Sequence, residues 1–314
     1  MEHPKIGIAL GGGGARGYAH IGVLQVLHEA GFSMDYVAGT SMGAVVGAIY
    51  AETLDPSEVQ HRFVEFLQSE TFEKTGIPRL HGSANHESGF WNQVTSEIRG
   101  RLAINLARSR KSLIKSERLI NAIRAVLTIR DFEETKIPLT VVATDIANGH
   151  DVPFTSGDLI FAVEASSSVP GFLAPIRHNG QLLSDGGISC PVPVSYIREN
   201  PDFISIGVAV PPPIHYQVPL DNAIQILTRA EQITSYYYSN MQMTQADVQI
   251  YPKTESIQWN DFDRLPEMIE AGRSAAEAAL PVLREVIRQR KPWWRRFIQD
   301  IQGEKFGAER NKLK

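Results

Sequence analysis

The chain has 314 residues, 43% of them apolar and 21% charged, with a formal net charge of −4 at neutral pH. That length and apolar content suffice for one large buried core, and an acidic body without a nucleic-acid-binding motif argues that there is no nucleic acid partner. The single cysteine, Cys190, excludes an internal disulfide framework and fits a reducing, cytoplasmic setting.

The first residues, Met1-Glu2-His3-Pro4-Lys5, carry no apolar signal core, and no stretch approaches transmembrane length. Residues 6–10 (Ile-Gly-Ile-Ala-Leu) predict a short buried strand. Gly11-Gly12-Gly13-Gly14-Ala15-Arg16-Gly17 follows, then Ile21, Val23, Leu24, Val26 and Leu27 at near-helical spacing. Four consecutive glycines pack nothing and lose backbone entropy on folding. They fit a loop whose bare N–H groups face an anion. Two anions suit it. One is the pyrophosphate of a dinucleotide, because Gly12-x-Gly14-x-x-Gly17 matches that fingerprint. The other is the oxyanion of an acyl-transfer intermediate.

The second strand separates these readings. Tyr36-Val37-Ala38 runs into Gly39-Thr40-Ser41-Met42-Gly43 and then into the apolar run 44–50. A dinucleotide site needs an acid at the end of this strand to hold the ribose hydroxyls; the chain has Ser41 there, and Asp35 lies before the strand. The GxSxG frame is the form of a nucleophile elbow. Gly39 and Gly43 leave room for a serine held in a strained conformation at a helix N-terminus.

Residues 72–96 read as an irregular excursion, either a lid over a substrate entrance or plain loop. Residues 99–124 carry eight Lys/Arg against one acid, Glu117, and read either as a membrane-facing segment or as a solvated helical face with core contacts. The runs 137–144 and 203–210 look like buried parallel strands separated by helices, which predicts a three-layer α/β/α sandwich with a mainly parallel central sheet. A helical pattern over about 220–245 contains Tyr236-Tyr237-Tyr238. Core packing is the expectation there, with an acyl pocket or the dimer face of a homo-oligomer as the alternatives. Residues 284–314 hold ten Lys/Arg and four acids. Within them Trp293, Trp294, Arg295, Arg296, Phe297, Ile298 and Ile301 suit an anionic membrane surface, contacted through 291–301.

Gly12-Gly13-Gly14-Ala15-Arg16-Gly17, then Gly39-Thr40-Ser41-Met42-Gly43, then Asp185-Gly186-Gly187 resemble the patatin-like phospholipase family, in particular its bacterial branch related to the neuropathy target esterase catalytic domain. The segment Ala165–Phe172, with Ala174-Pro175 after it, resembles the stretch that precedes the aspartate in that family. The resemblance spans roughly residues 5–280. It implies a patatin-type acyl hydrolase domain over 1–280, and the charge and tryptophan content beyond it mark a basic, Trp-containing C-terminal extension over 281–314. It implies Ser41 as nucleophile, Asp185 as base without a histidine, and Gly12, Gly13 and Gly14 as the oxyanion loop. Arg16, Gly17, Gly39, Gly43, Gly186 and Gly187 support the motifs. No metal or organic cofactor is required. An α/β-hydrolase triad fits less well, because Ser41 follows only one strand and one helix. It would also need a histidine after Asp185, and only His215 qualifies, in a proline-rich loop. His20, just past the glycine loop, reads as a helix-surface or core histidine. Arg16, the only charge in the loop, reads equally as loop support, as an attractor of lipid phosphate, or as one end of a surface ion pair.

A free carboxylate, with a pKa near ~3.9, is a weak base for a serine hydroxyl. Burial beside an apolar pocket raises that value and makes the dyad workable. The expectation is therefore a serine hydrolase of lipid acyl esters, cytoplasmic or peripheral to the inner face of the cell membrane. A lipid-sensing or scaffold protein with little turnover is the alternative, and intact Ser41 and Asp185 count against it.

Overall fold

The computed structural model describes residues 4–75, 116–212, 214, 220–221, 223–254 and 257–290. The tail 291–301, most of the excursion 72–96, His215 and the first part of the basic segment 99–124 lie outside these residues.

In β1 (Lys5–Leu10), Ile6, Ile8 and Leu10 alternate with Gly7 and Ala9. A period of two sends the large side chains to one face of the sheet and the small ones to the other. On the first face, Ile6, Ile8 and Leu10 pack with α1 (Ala19–Glu29), α2 (Met42–Thr53), α3 (Pro56–Leu67) and α9 (Leu265–Arg290) in the main core. On the second, Ala9 and Ala38 meet Val194 and Ile197 of α7 (Val194–Arg198) and Met243 at the end of α8 (Ala223–Met243). Helices on both faces of one sheet give the expected three layers. In sequence, α4 (Glu70–Thr75), α5 (Ser116–Val126) and α6 (Leu159–Ser166) come between α3 and α7, and α5 and α6 add Ile123, Val126, Leu159 and Ile160 to the main core.

The remaining strands are β2 (Tyr36–Thr40), β3 (Leu139–Asp145), β4 (His150–Phe154), β5 (Ile176–His178), β6 (Gln181–Asp185), β7 (Phe203–Val208) and β8 (Val248–Ile250). The path is β5-β6-β3-β2-β1-β7-β8, with β4 also on β3. Neighbours from β3 through to β8 are parallel; β4, β5 and β6 form an antiparallel end.

The register of β3 positions the site. All of Val141–Asp145 pairs with β4 along one edge. On the other edge Val142 pairs with Thr40 of β2, whereas the next residue, Ala143, pairs with Asp185 of β6. A strand has only two edges, so β2 and β6 share one of them end to end and run toward each other. Their ends, followed by Ser41 and occupied by Asp185, meet beside Val142 and Ala143.

Two expectations need correction. Helix α8 does form, but the tyrosines are not core residues. Its last turn is buried through Ser239, Gln242 and Met243, with the Gln242 side chain accepting the Val192 N–H. Farther up the helix, Tyr237 is 63% exposed, along with Ile226, Leu227 and Ile233, while Glu231 lies near enough to Arg16 and Asp185 for its charge to act on both. Helix α9 also runs through position 280 without a break and buries Leu283 in the main core. The packed body therefore continues to Arg290. In α5, the described part of the basic segment, Ile123 and Val126 are buried while Arg118 and Arg124 face solvent. That is the pattern of a solvated helix resting on a core. Among the described residues, no helix is long and apolar enough to cross a membrane.

Candidate active site

Strand β2 ends at Thr40 and α2 starts at Met42, so the whole reversal falls on Ser41. Its φ of 53° and ψ of −122° lie in a region that L-residues rarely adopt. Strain of this kind is worth roughly 1–3 kcal/mol and persists only where the surroundings enforce it. Gly43 permits part of the geometry: a Cβ there would stand 2.1 Å from the Leu10 carbonyl oxygen, so only glycine lets α2 approach the end of β1. Gly39 lies beneath the first turn of α2, and Gly17 lies against Met42.

Across the junction of β2 and β6, Ser41 Oγ donates to Asp185 Oδ2 at 2.6 Å, although the residues are 144 positions apart. The other oxygen, Oδ1, accepts the Gly187 N–H at 2.7 Å, which fixes the carboxylate rotamer. Gly186 packs on the Val142 carbonyl. Burial pushes Asp185 up to about 6; the bonds from Ser41 and Gly187 act against that rise, and the charge of Glu231 adds to it. A carboxyl near 6 is a far better base at neutral pH than an exposed one.

The glycine loop passes over Ser41, with the Gly12 Cβ direction only 3.3 Å from Ser41 Cβ. The backbone amides divide its roles in a way that corrects the sequence expectation. Gly11 N–H is donated to Val208 and Gly12 N–H to the Pro191 carbonyl, both at 3.0 Å, so Gly12 is committed to the scaffold. Gly13 and Gly14 have no backbone or side-chain acceptor among the described residues, which leaves their amides as candidate oxyanion donors. Gly14 has a φ of +58°, and a Cβ there would stand 2.3 Å from the Trp259 carbonyl oxygen, so this position requires glycine. Alanine keeps the N–H but cannot keep this backbone, so Gly14→Ala is expected to displace the donor and lower kcat on a soluble p-nitrophenyl ester by up to roughly 10²-fold, the scale of losing one oxyanion donor. Steady-state kinetics on the folded variant would check this.

Arg16 is 7% exposed, which removes the surface ion pair from its alternatives. Its Nε donates to the Gly13 carbonyl at 3.3 Å, supporting the loop from behind. Burial lowers it to about 10, with Glu231 and Asp261 acting in opposition, so it stays charged at neutral pH. His20 is buried, as the core reading expects. Its Nε2 lies 2.7 Å from the Gly11 carbonyl, and burial lowers it to about 4, so it is neutral. Among the described residues, no histidine hydrogen-bonds to Ser41 or Asp185. Cys190 is buried as well and pushed up to about 12 by that burial, which leaves it an unreactive thiol.

Sequence reasoning missed Ser166 and Ser168. Ser166 Oγ accepts the Ser41 N–H at 2.8 Å, and the Ser168 carbonyl accepts the Asp185 N–H at 3.0 Å. In sequence the stretch 165–172 carries only a pattern, and three adjacent serines give no local signal of which one turns toward the elbow.

The arrangement is a serine on a strand-to-helix elbow paired directly with a buried carboxylate, on a mainly parallel α/β sheet. The chain belongs to the patatin-like phospholipase family, whose model matches residues 8–197. An uncharacterised NTE family protein of Mycobacterium tuberculosis is 36% identical over 208 residues, which cover 66% of this chain and 49% of that one. Patatin-like phospholipase domain-containing protein 6 of Mus musculus is 31% identical over 195 residues, 62% of this chain and 12% of that one. The chain thus spans about half the length of the mycobacterial relative, and much less of the mouse one. Among solved structures, VipD from Legionella pneumophila shares the fold, with a TM-score of 0.50 at 15% identity over 90% of this chain and 67% of that one.

Proposed function

We propose that the protein hydrolyses acyl esters of lipids through a Ser41–Asp185 dyad. The observation that carries this reading is the 2.6 Å hydrogen bond from Ser41 Oγ to a carboxylate that burial holds near 6. Ser41 Oγ attacks the ester carbonyl carbon while its proton passes to Asp185 Oδ2. The carbonyl oxygen becomes an oxyanion within reach of the Gly13 and Gly14 amides, where preorganised donors act most strongly. Collapse breaks the ester C–O bond, and the alkoxide leaves with the proton from Asp185. Water then attacks the acyl-serine, Asp185 takes its proton, and that proton returns to Ser41 Oγ as the fatty acid departs. Family membership supports a lipid as the acyl donor.

The test is labelling of the full chain with a fluorophosphonate ester and mapping of the adduct by mass spectrometry, alongside fatty-acid release from phospholipid and lysophospholipid. The adduct is expected on Ser41. A natively folded protein that takes up no label there overturns the reading.

The pH dependence follows from Asp185. As a base it must be ionised, so kcat/KM for a neutral ester should rise with pH through about 6 and level off above it. Stability runs the other way. A carboxyl raised above its unfolded value stabilises the fold fully below about 3.8, and that contribution is lost as pH rises through about 6. A rate profile between pH 4.5 and 8 with no acid limb near 6 would contradict the assignment of Asp185.

A further inference from the structure

Ser41 is strained, and something must hold it there. The strand before it and the helix after it can each be satisfied without placing this one residue at a positive φ. Its own side chain makes no capping bond to α2, because the hydroxyl is given to Asp185. What remains is its backbone N–H, and that group is held by Ser166 Oγ at 2.8 Å.

The direction of this bond is fixed by chemistry. A serine hydroxyl has one hydrogen and two lone pairs. Ser166 gives its hydrogen to the Val142 carbonyl at 2.6 Å, so a lone pair is left to receive the Ser41 amide. Ser166 is fully buried, and no solvent competes for either bond. Val142 is the residue of β3 that pairs with Thr40, immediately before the nucleophile. Ser166 therefore closes a ring from the Ser41 amide, through its own hydroxyl, to β3 and back along the ladder to β2. The same turn at the end of α6 holds the partner: the Ser168 carbonyl accepts both the Asp185 N–H and the Ser184 hydroxyl, at 3.0 and 2.7 Å.

We propose that Ser166 is a positioning residue, which sets the Ser41 hydroxyl for attack by capturing the nucleophile's own amide. The Ser41 N–H is thereby turned into the scaffold and takes no part in binding the oxyanion. Without the Ser166 hydroxyl, the Ser41 amide and the Val142 carbonyl lose their partners together, and the elbow can relax away from the attack geometry. Ser167 supplies a matched control. It is the adjacent serine, and its Oγ is buried without a hydrogen-bond partner among the described residues.

The inference rests on Ser41 being the nucleophile, and the experiment keeps the two ideas apart. Single variants of the full chain are compared by the rate of Ser41 labelling with a fluorophosphonate, by kcat and KM on p-nitrophenyl butyrate, and by thermal melting. Ser166→Ala should slow labelling and kcat together by roughly 10- to 100-fold, with KM within about twofold, as expected for a misplaced reacting atom. Ser166→Thr, which keeps a hydroxyl, should recover most of the rate, and Ser167→Ala should match the parent. If Ser166→Ala does not fold, Ser166→Cys decides, since a thiol of similar size is a poor acceptor and should still slow labelling. Native-like melting with an undiminished labelling rate in Ser166→Ala or Ser166→Cys overturns the proposal, as does Ser166→Thr being as slow as Ser166→Ala. A parent protein that takes no label at Ser41 overturns the reading on which the proposal stands.

Discussion

Ser41→Ala should lower kcat on p-nitrophenyl butyrate by roughly 10⁴-fold or more, the scale seen when a nucleophile acting as part of a unit is removed. It should also abolish fluorophosphonate labelling. The circular dichroism spectrum should not change, because the hydroxyl takes no part in the core. Ser41→Gly separates chemistry from conformation. Glycine adopts a φ of 53° with little strain, so this variant should be equally inactive yet more stable than the alanine variant by about 1 kcal/mol. Chemical denaturation of the two proteins would show the difference. Appreciable turnover by either would mean that another residue attacks the ester.

Asp185→Asn carries the second large effect. The amide cannot accept a proton and presents an N–H₂ group to Ser41 Oγ as readily as an oxygen. Loss of a general base is worth about 10²–10⁴ in rate, so a fall in kcat near 10³-fold is expected. The residual activity should lose its dependence on pH around 6. Stability should move the opposite way: with no buried carboxyl to ionise, Asp185→Asn should melt higher than the parent at pH 8 and close to it at pH 4. Loss of activity with the acid limb intact would assign that limb to a different group.

The site motifs were legible because each is written locally. Glycines at 12–14, 39 and 43 record backbone demands that no other residue meets, and a serine between two of them marks the elbow. The parallel strands were legible as continuous apolar runs, since both of their faces are covered. What escaped was set by distant partners. Gly12 looks like any loop glycine until the Pro191 carbonyl, 179 positions away, takes its N–H. The strands β4, β5 and β6 are short and flank a partly exposed end of the sheet, so they lack the apolar density that betrayed β3 and β7. Helix α8 misled for the reverse reason. Its isoleucines, leucine and tyrosines have the composition of a buried helix, yet Ile226, Leu227, Ile233 and Tyr237 lie on an exposed face.

The meeting of β2 and β6 along one edge of β3 also bears on how the protein folds. The Ser41–Asp185 bond closes a loop of 144 residues and the Ser41–Ser166 bond one of 125. Closures this long come late, after local helices and neighbouring parallel strands have formed, because their entropy is lost before the contact rewards it. A partly folded chain can hold β1, the glycine loop and the GxSxG helix and still have a relaxed, unreactive serine. The strained geometry of Ser41 is thus a property of the finished topology, and the rate at which a fluorophosphonate labels it during refolding would time the last strand to arrive.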